Sequence, residues 1–599
     1  MNHVQSQFTN PSAHYRGKPF WAWNGNLDKS ELLRQVSVLK EMGFGGFFMH
    51  SRVGLVNTYL GDEWFDLVNS VADAGAAAGL EPWLYDEDRW PSGSAGGLAT
   101  QDIRYRQRYL RMRCVPAADF TSSTGSLGAF VGKLKETHWT QFRRLHPDET
   151  IGEKELGATV LTFAVELMKP GSFYNGATYL DTMNPEATAE FIRLTHEQYV
   201  RHGGGRLGTA IRGVFTDEPH RGMIMSGFGS QDDPTWVVPW TDRLPELFVE
   251  RFGYDLLDYL PEIFLRRDGK RLSRVKWNYV ELLQQLFIEG FLKPVNDWCR
   301  AHNLTLTGHV LHEDNLVSQA VPNGAMMRNY EYMDSPGIDV LTEDRRVYWA
   351  AKQLASVARQ TGQCRQLLSE LYGCTGWQFS FESHKAVGNW QALFGINLRC
   401  HHLSWFTMQG EAKRDYLASI FHQSAWWREY RYVEDYFSRL HVVLEQGKPC
   451  CDLLVLHPIE SVWAQIHHGW VDGLEARCPS IRELERIFAQ NFHWLAGHQI
   501  DFDYGDEDLL RRLGSVEDTA DGARLRVGQA TYRAVLVSGL ETMRASTLIL
   551  LEAFLARGGR VIFAGVPPGH VDAVVDARPA ALAARSSECP LSPAALIAT

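Results

Sequence analysis

The chain alternates between short apolar runs and amphipathic stretches, and that alternation restricts its fold more than any single motif. Pro19–Gly25 (PFWAWNG), Phe44–His50 (FGGFFMH) and Glu81–Tyr85 (EPWLY) read as buried strands. Between them, Leu32, Leu33, Val36, Leu39 and Met42 share one face of a helix over 30–42, closed by Gly43. A second helix over 63–78 is closed by Gly79. Strands separated by helices at this spacing need crossover connections, and so a parallel sheet with helices on its faces.

From Arg104 to Tyr174 the rhythm shortens into β-like runs such as Ala158–Ala164 (ATVLTFA), which predicts an inserted β-rich subdomain. The alternation resumes at Asn184-Pro185, where Pro suits the first turn of a helix reaching about His202. Ile211–Thr216 reads as the fourth strand, Thr305–His309 as the fifth and Ile338–Leu341 as the sixth. Gln366–Ser369 reads as the seventh and His402–Met408 (HLSWFTM) as the eighth. Eight strands with intervening helices predict an α/β protein built on a (β/α)8 TIM barrel over residues 15–445. A doubly wound open sheet is the competing arrangement. The barrel is preferred because polar residues gather just after the strand ends, where barrel active sites are built.

A second unit begins near Gly447-Lys448-Pro449. Strands at Asp452–Leu456, Arg533–Val537 and Arg560–Ala564, with helices over 481–496 and 547–557, predict a smaller flavodoxin-like α/β domain over 446–570. The Ala-, Pro- and Ser-rich remainder, 571–599, is expected to be poorly ordered.

Composition narrows the chemistry. With 60 Lys and Arg against 71 Asp and Glu, the 599 residues carry a formal charge of −11, which argues against nucleic acid as the main partner. Aromatic residues make up 12%, with 19 Trp, and exposed Trp suits a flat, partly apolar ligand such as a sugar ring. The N-terminal stretch is polar, no run approaches a membrane span, and the nine cysteines are scattered. A cytoplasmic location with reduced thiols is the expectation.

Two carboxylates stand out: Glu218 after the fourth strand (FTDEP) and Glu370 after the seventh (LLSELYG). A glutamate is more often a solvated surface group, but both of these follow apolar strand cores. Across a barrel mouth they can flank one bond. Glycoside hydrolysis needs that disposition, one carboxyl protonating the leaving oxygen while the other attacks the anomeric carbon or activates water. Their separation decides between retention and inversion, so both courses are open at this point.

The third strand ends in Asp86, Glu87, Asp88, Arg89 and Trp90. Adjacent acids repel unless something compensates them. The loop therefore binds sugar hydroxyls, holds a hard cation such as Ca2+ through Glu87 and Asp88, or pairs with Arg89 and Arg52. The candidate substrate-binding residues are Asn24, His50, Arg52, Asp86, Asp88, Trp90, Asp217, His309 and Trp405. His309, His312, Glu313 and Asp314 also admit a zinc site as a rival. That rival is weakened by Trp23-Asn24-Gly25-Asn26 after the first strand, where metal-dependent hydrolase barrels usually offer His-x-His. Trp21, Trp23, Trp83 and Trp377 divide between core packing and sugar stacking. Ser369 and Cys374 lack a nucleophile-elbow setting.

The blocks PFWAWNGNL, GFGGFFMHSRVGL, YLGDEWF, PWLYDEDRWPSGSAGG, YLDTMNPEA, GVFTDEPH and LLSELYG, in this order, resemble glycoside hydrolase family 106 over roughly residues 15–440. The resemblance implies a TIM-barrel α-L-rhamnosidase that inverts through two glutamates, with Ca2+ assisting sugar binding. Carried onto this chain the pair is Glu218 and Glu370, with acid and base unassigned, and Glu313 or Glu343 as other possible partners. Residues 449–565 resemble the glutamine-amidotransferase-like domain behind the barrel of family 42 β-galactosidases. No catalytic cysteine elbow stands near Val537-Ser538-Gly539, so packing or homo-oligomerisation is its expected role. Larger relatives carry further sugar-binding β-sandwich domains beyond the stretch that ends here at Thr599, which points to small or trimmed oligosaccharides as substrate. The expectation is a hydrolase of O-glycosidic bonds without an organic cofactor. The alternatives are a glycosidase of another specificity, a sugar-binding pseudoenzyme or a Ca2+-dependent lyase.

Overall fold

A computed structural model describes residues 3–599 except 122–124, 147–148, 229–233, 344–345, 363–365 and 448. Lys448, in the expected domain boundary, thus lies outside the described residues. Eight parallel strands make a nearly closed barrel sheet: β1 (Phe20–Trp23), β2 (Gly46–Ser51), β3 (Glu81–Tyr85), β4 (Gly213–Asp217), β5 (Thr305–His309), β6 (Ser335–Asp339), β7 (Leu368–Leu371) and β8 (Leu398–His401). They pair in the order β8-β7-β6-β5-β4-β3-β2-β1. Beyond His402 and Leu403, the short run Ser404–Trp405 then pairs with Trp21 and Ala22 of β1. One stretch of chain therefore reaches both edges of the sheet, where an open doubly wound sheet would leave two edges free.

The period of two that strands impose sorts the side chains. Phe20, Phe48, Trp83, Phe215, Leu368, Leu398 and Trp405 pack together inside the barrel. Trp21, Phe47, Leu84, Val214, Leu306 and Ile338 belong to the main core around it. The helices follow from local chemistry. Asp28 accepts the Glu31 N–H at 2.9 Å and starts the helix Lys29–Glu41. Asn184 caps the helix Pro185–Leu194 with Pro in its first turn.

Three expectations need correction. The eighth strand is Leu398–His401, and only Ser404–Trp405 of the expected run 402–408 pairs. Arg399 and His401 hide this strand from an apolar-run search, yet both are buried, 2.7 and 3.0 Å from Glu434 of the helix Arg431–Leu444. The inserted sheet is also wider than 104–174. Its four long strands, Arg108–Pro116, Gly128–Lys135, His138–Leu145 and Thr159–Leu167, are extended by Val237–Trp240 and Arg266–Arg267 from beyond β4. Finally, the tail is not structureless: Arg578–Ala583 is helical and Ser587–Cys589 joins a sheet.

That second sheet holds β9 (Leu453–Leu456), β10 (Phe502–Gly505), β11 (Ala534–Ser538), β12 (Arg560–Ala564) and β13 (Ser587–Cys589). It is all parallel, in the order β10-β9-β11-β12-β13. A buried ionic cluster joins it to the barrel. Arg328 of the barrel meets Glu281 at 2.7 Å, Asp506 at 2.9 Å and Glu460. Arg544 of the second sheet's layer meets the same Glu281 at 2.5 Å and Glu460 at 2.7 Å. Each guanidinium lies over an indole, Arg328 on Trp463 and Arg544 on Trp277. Among the described residues, no helix is long and apolar enough to cross a membrane.

Candidate active site

The inward parity of the strands brings Asp217, His309 and Glu370 to the carboxyl-terminal mouth of the barrel. Alternation would turn the next residue after Asp217 outward. Instead Glu218 takes a φ of +50°, a conformation that costs a non-glycine residue about 1–3 kcal/mol. Its N–H donates to the His309 carbonyl at 3.0 Å, and its carboxyl lines the mouth. Gly308 sets the adjoining strand. Its φ is +130°, and a Cβ there would sit 1.9 Å from the Thr216 carbonyl oxygen, so β4 and β5 approach this closely only with glycine.

The mouth holds a cavity of about 370 Å³. Its floor is Asp217, Glu218, His309, Asp339 and Glu370. One bank is Trp90, Phe173, Phe228 and His312, and the other is Arg52, His402 and Tyr416. His309 Nε2 lies 2.8 Å from Glu370 and 3.5 Å from Asp217, so this nitrogen carries the proton between two acceptors. The Tyr85 hydroxyl donates to the other Asp217 oxygen at 2.6 Å. His402 Nε2 stands 3.6 Å from Glu370.

The two glutamates live in different fields. Burial, and then the negative charges of Asp217, Asp339, Glu370 and Glu313, push the Glu218 carboxyl well above its ordinary range. Glu370 instead faces the ring nitrogens of His309 and His402. Burial holds His402 well below the usual imidazole range, with Arg52 adding to the effect. Glu313 lies behind this floor, 1% exposed, accepting the Asp339 N–H and raised to about 8 by burial. Glu343 is exposed. Of the four glutamates considered from sequence, the cavity thus gathers Glu218 and Glu370.

Several candidate binding residues have other work. Asn24 accepts the Thr407 N–H at 3.0 Å and donates back to the Thr407 carbonyl at 3.1 Å, pinning the loop after β8. Trp405 is fully buried in the barrel interior, not on the cavity wall. His50 is buried and stacked on Tyr85 at 3.6 Å, and it accepts from Arg52 at 3.0 Å. Arg52 does line the cavity, with its guanidinium committed to Asp415 at 2.7 and 3.2 Å. Asp86 is buried behind β3 and accepts the Ser92 hydroxyl at 2.5 Å. Asp88 accepts from Ser51 at 2.5 Å and pairs with Arg89 at 2.9 Å.

Glu87 organises the loop. Its two oxygens accept the backbone N–H groups of Asp88, Gly93, Ser94, Ala95 and Gly96. A carboxylate has about four lone-pair sites, so this one has no oxygen left for Ca2+, and Glu87 does not fit the cation role. Trp21 and Trp23 lie in the main core and Trp83 inside the barrel, while Trp377 is 39% exposed.

Sequence reading passed over Phe173, Phe228, Asp339, His402 and Tyr416 as site residues. Asp339 shares the inward parity of Gly337, so strand alternation could have found it. His402 had been placed at the start of a strand. The three aromatic residues stand on loops, where no periodicity announces them.

Asp217, His309 and Glu370 also bring ligand-type atoms within 4.8 Å of one another. The imidazole makes this trio unsuited to Ca2+, which takes oxygen ligands.

No family model matches the chain. A protein of Formosa agariphila named "Putative beta-glucuronidase" is 19% identical over 520 residues, 76% of this chain and 42% of that protein. The chain spans less than half the length of this curated relative. The rhamnosidase from Novosphingobium sp. PP1Y superposes with a TM-score of 0.64 at 14% identity, over 97% of this chain and 71% of that one. A β-galactosidase from Bacillus circulans sp. alkalophilus gives 0.53 at 11% identity, over 93% and 73%. The chain shares the fold of these two solved structures.

Proposed function

We propose that the chain is a glycoside hydrolase, α-L-rhamnosidase-like and acting on neutral sugars, with Glu218 as general acid and Glu370 as base. One observation carries the reading: both glutamates line a single cavity at the barrel mouth, and Glu370 there meets the rings of His309 and His402 at 2.8 and 3.6 Å. A carboxyl whose proton affinity is raised by burial, and then by four acidic neighbours, is suited to donate to a leaving oxygen. A carboxylate that accepts a hydrogen bond from His309 at 2.8 Å is held in place to take a proton from water. Inversion follows the family resemblance, and proton NMR of the first-formed anomer reads it directly.

The neutral-sugar reading rests on charge. The floor carries Asp217, Glu218, Asp339 and Glu370, and the cation on the wall, Arg52, is already held by Asp415. A uronic acid would bring a further carboxylate into this field, which favours a sugar other than the one in the curated relative's name. Calcium has no part in this reading. The Asp217–His309–Glu370 trio favours one second reading, a transition-metal ion such as zinc that would act as a Lewis acid. Dialysis against a chelator with metal analysis separates the two.

The second domain is read as a flavodoxin-like, amidotransferase-like scaffold without chemistry of its own. Strand order 2-1-3-4-5 puts a ligand crevice at the carboxyl ends of β9 and β11. Arg328 of the barrel reaches Glu460 and Asp506 there.

A panel of 4-nitrophenyl glycosides tests the proposal, including α-L-rhamnoside, β-D-galactoside and β-D-glucuronide. Turnover of a neutral glycoside is expected, lowered by roughly 100-fold or more in Glu370→Gln. Hydrolysis unaffected by Glu370→Gln, or confined to the glucuronide, overturns it.

A further inference from the structure

The cavity is two-sided in a way that the hydrolytic pair does not require. Trp90, Phe173 and Phe228 come from three separate loops and meet edge to face. Their ring centroids are 5.2 Å apart for Trp90–Phe173 and 5.4 Å for Phe173–Phe228. All three are partly exposed to the cavity. The geometry points to a leaving-group subsite on this bank, built for an aromatic aglycone.

The side is set by Glu218. The Trp90 loop is bound to the strand that precedes this residue: the Ser92 N–H donates to the Asp217 carbonyl at 2.7 Å, and the Asp217 N–H donates to the Ser92 hydroxyl at 2.8 Å. Phe228 follows on the Glu218 loop itself. Phe173 adjoins Tyr174, which stacks on Tyr179 at 5.1 Å, and the Tyr179 hydroxyl donates to the Ser92 carbonyl at 2.6 Å. The three rings therefore share one foundation with the carboxyl that protonates the leaving oxygen. His402, by contrast, stands beside Glu370 on the opposite bank. What departs must lie against the aromatic side.

Chemistry sets the class. A second sugar would present several hydroxyls that need partners once desolvated. Among the described residues this bank offers two phenyl rings, one indole and the single imidazole of His312, few polar atoms for several hydroxyls. Offset and edge-to-face contact with another arene suits it better.

This inference rests on the hydrolase reading, and its test is arranged so that the two fail separately. The probe is 4-methylumbelliferone alone, titrated by fluorescence against the intact protein and as an inhibitor of turnover. Phe173→Ala and Phe228→Ala should each weaken its binding about 3- to 10-fold, with Phe173→Leu losing less. In the same variants, kcat/KM for a 4-methylumbelliferyl glycoside should fall more than for the methyl glycoside of the same sugar. Umbelliferone binding that ignores both substitutions, or equal losses on the two glycosides, overturns the subsite. Ring-dependent binding without turnover of any glycoside would instead sink the hydrolase reading.

Discussion

Replacing Glu218 by Gln keeps the shape of the side chain and removes its proton. General acid catalysis contributes ~10²–10⁴-fold, so kcat/KM on a methyl glycoside should fall by that factor, or ~3–5 kcal/mol of transition-state stabilisation. The loss should be much smaller for a 4-nitrophenyl glycoside, whose leaving group departs with little help. Glu218 is held above its ordinary value by burial and then by Asp217, Asp339, Glu370 and Glu313. Wild-type activity should therefore decline on the alkaline side as this carboxyl ionises, and the variant should lack that limb. Stability runs the other way. A raised folded pKa means that the native state holds a proton the unfolded chain releases. That contribution is whole below the unfolded value of about 4.3 and is lost as pH rises through the folded one. Gln needs no proton, so the variant should melt above wild type at pH 8, with the gap closing toward pH 4. Stopped assays across pH 4–9 and differential scanning calorimetry at both ends give the two readouts. Unchanged turnover of the methyl glycoside, a surviving alkaline limb, or a variant that melts below wild type at pH 8 would refute the reasoning.

Three further outcomes follow from single side chains. Trp405→Ala removes a fully buried ring from the barrel interior and should cost ~3–5 kcal/mol in urea unfolding; a sugar-stacking Trp would instead raise KM with little loss of stability. Glu87→Gln sets an amide N–H₂ against backbone N–H donors and should loosen residues 88–96, read as new proteolytic cleavage there and a higher KM. Glu434→Ala leaves Arg399 buried and unpaired and should cost ~3–5 kcal/mol. Burial opposes the Glu434 charge, but Arg399 and His401 hold its carboxyl well below the usual range. This contribution is thus present above the unfolded value of about 4.3 and fades as pH falls through the folded one, so the gap to wild type should narrow in acid.

The barrel was legible because its strands carry apolar residues on both faces, inside the barrel and under the helices. β3 and β5 fall where the pattern puts them. β8 was obscured because its outward face holds Arg399 and His401, whose burial depends on Glu434 some 30 residues later. Of the site, Glu218, Glu370, Asp217, His309, Arg52 and Trp90 could be marked by their places at strand ends. Asn24, Asp86, Glu87 and Asp88 sit at similar places but spend their polar atoms on nearby backbone and side chains. That expenditure is invisible until the loops have a shape. Tyr416, Phe173 and Phe228 reach the cavity through loops whose path no local pattern encodes.

The shared use of Glu281 and Glu460 by Arg328 and Arg544 has a consequence for anyone who recombines such proteins. Each half supplies one guanidinium and one glutamate to the other, so a cut between them strands ions on both new surfaces. Swapping the barrel alone into a foreign background would leave Arg328 and Glu281 facing water or mismatched neighbours. A chimera that keeps this fold must carry the quartet across the junction intact.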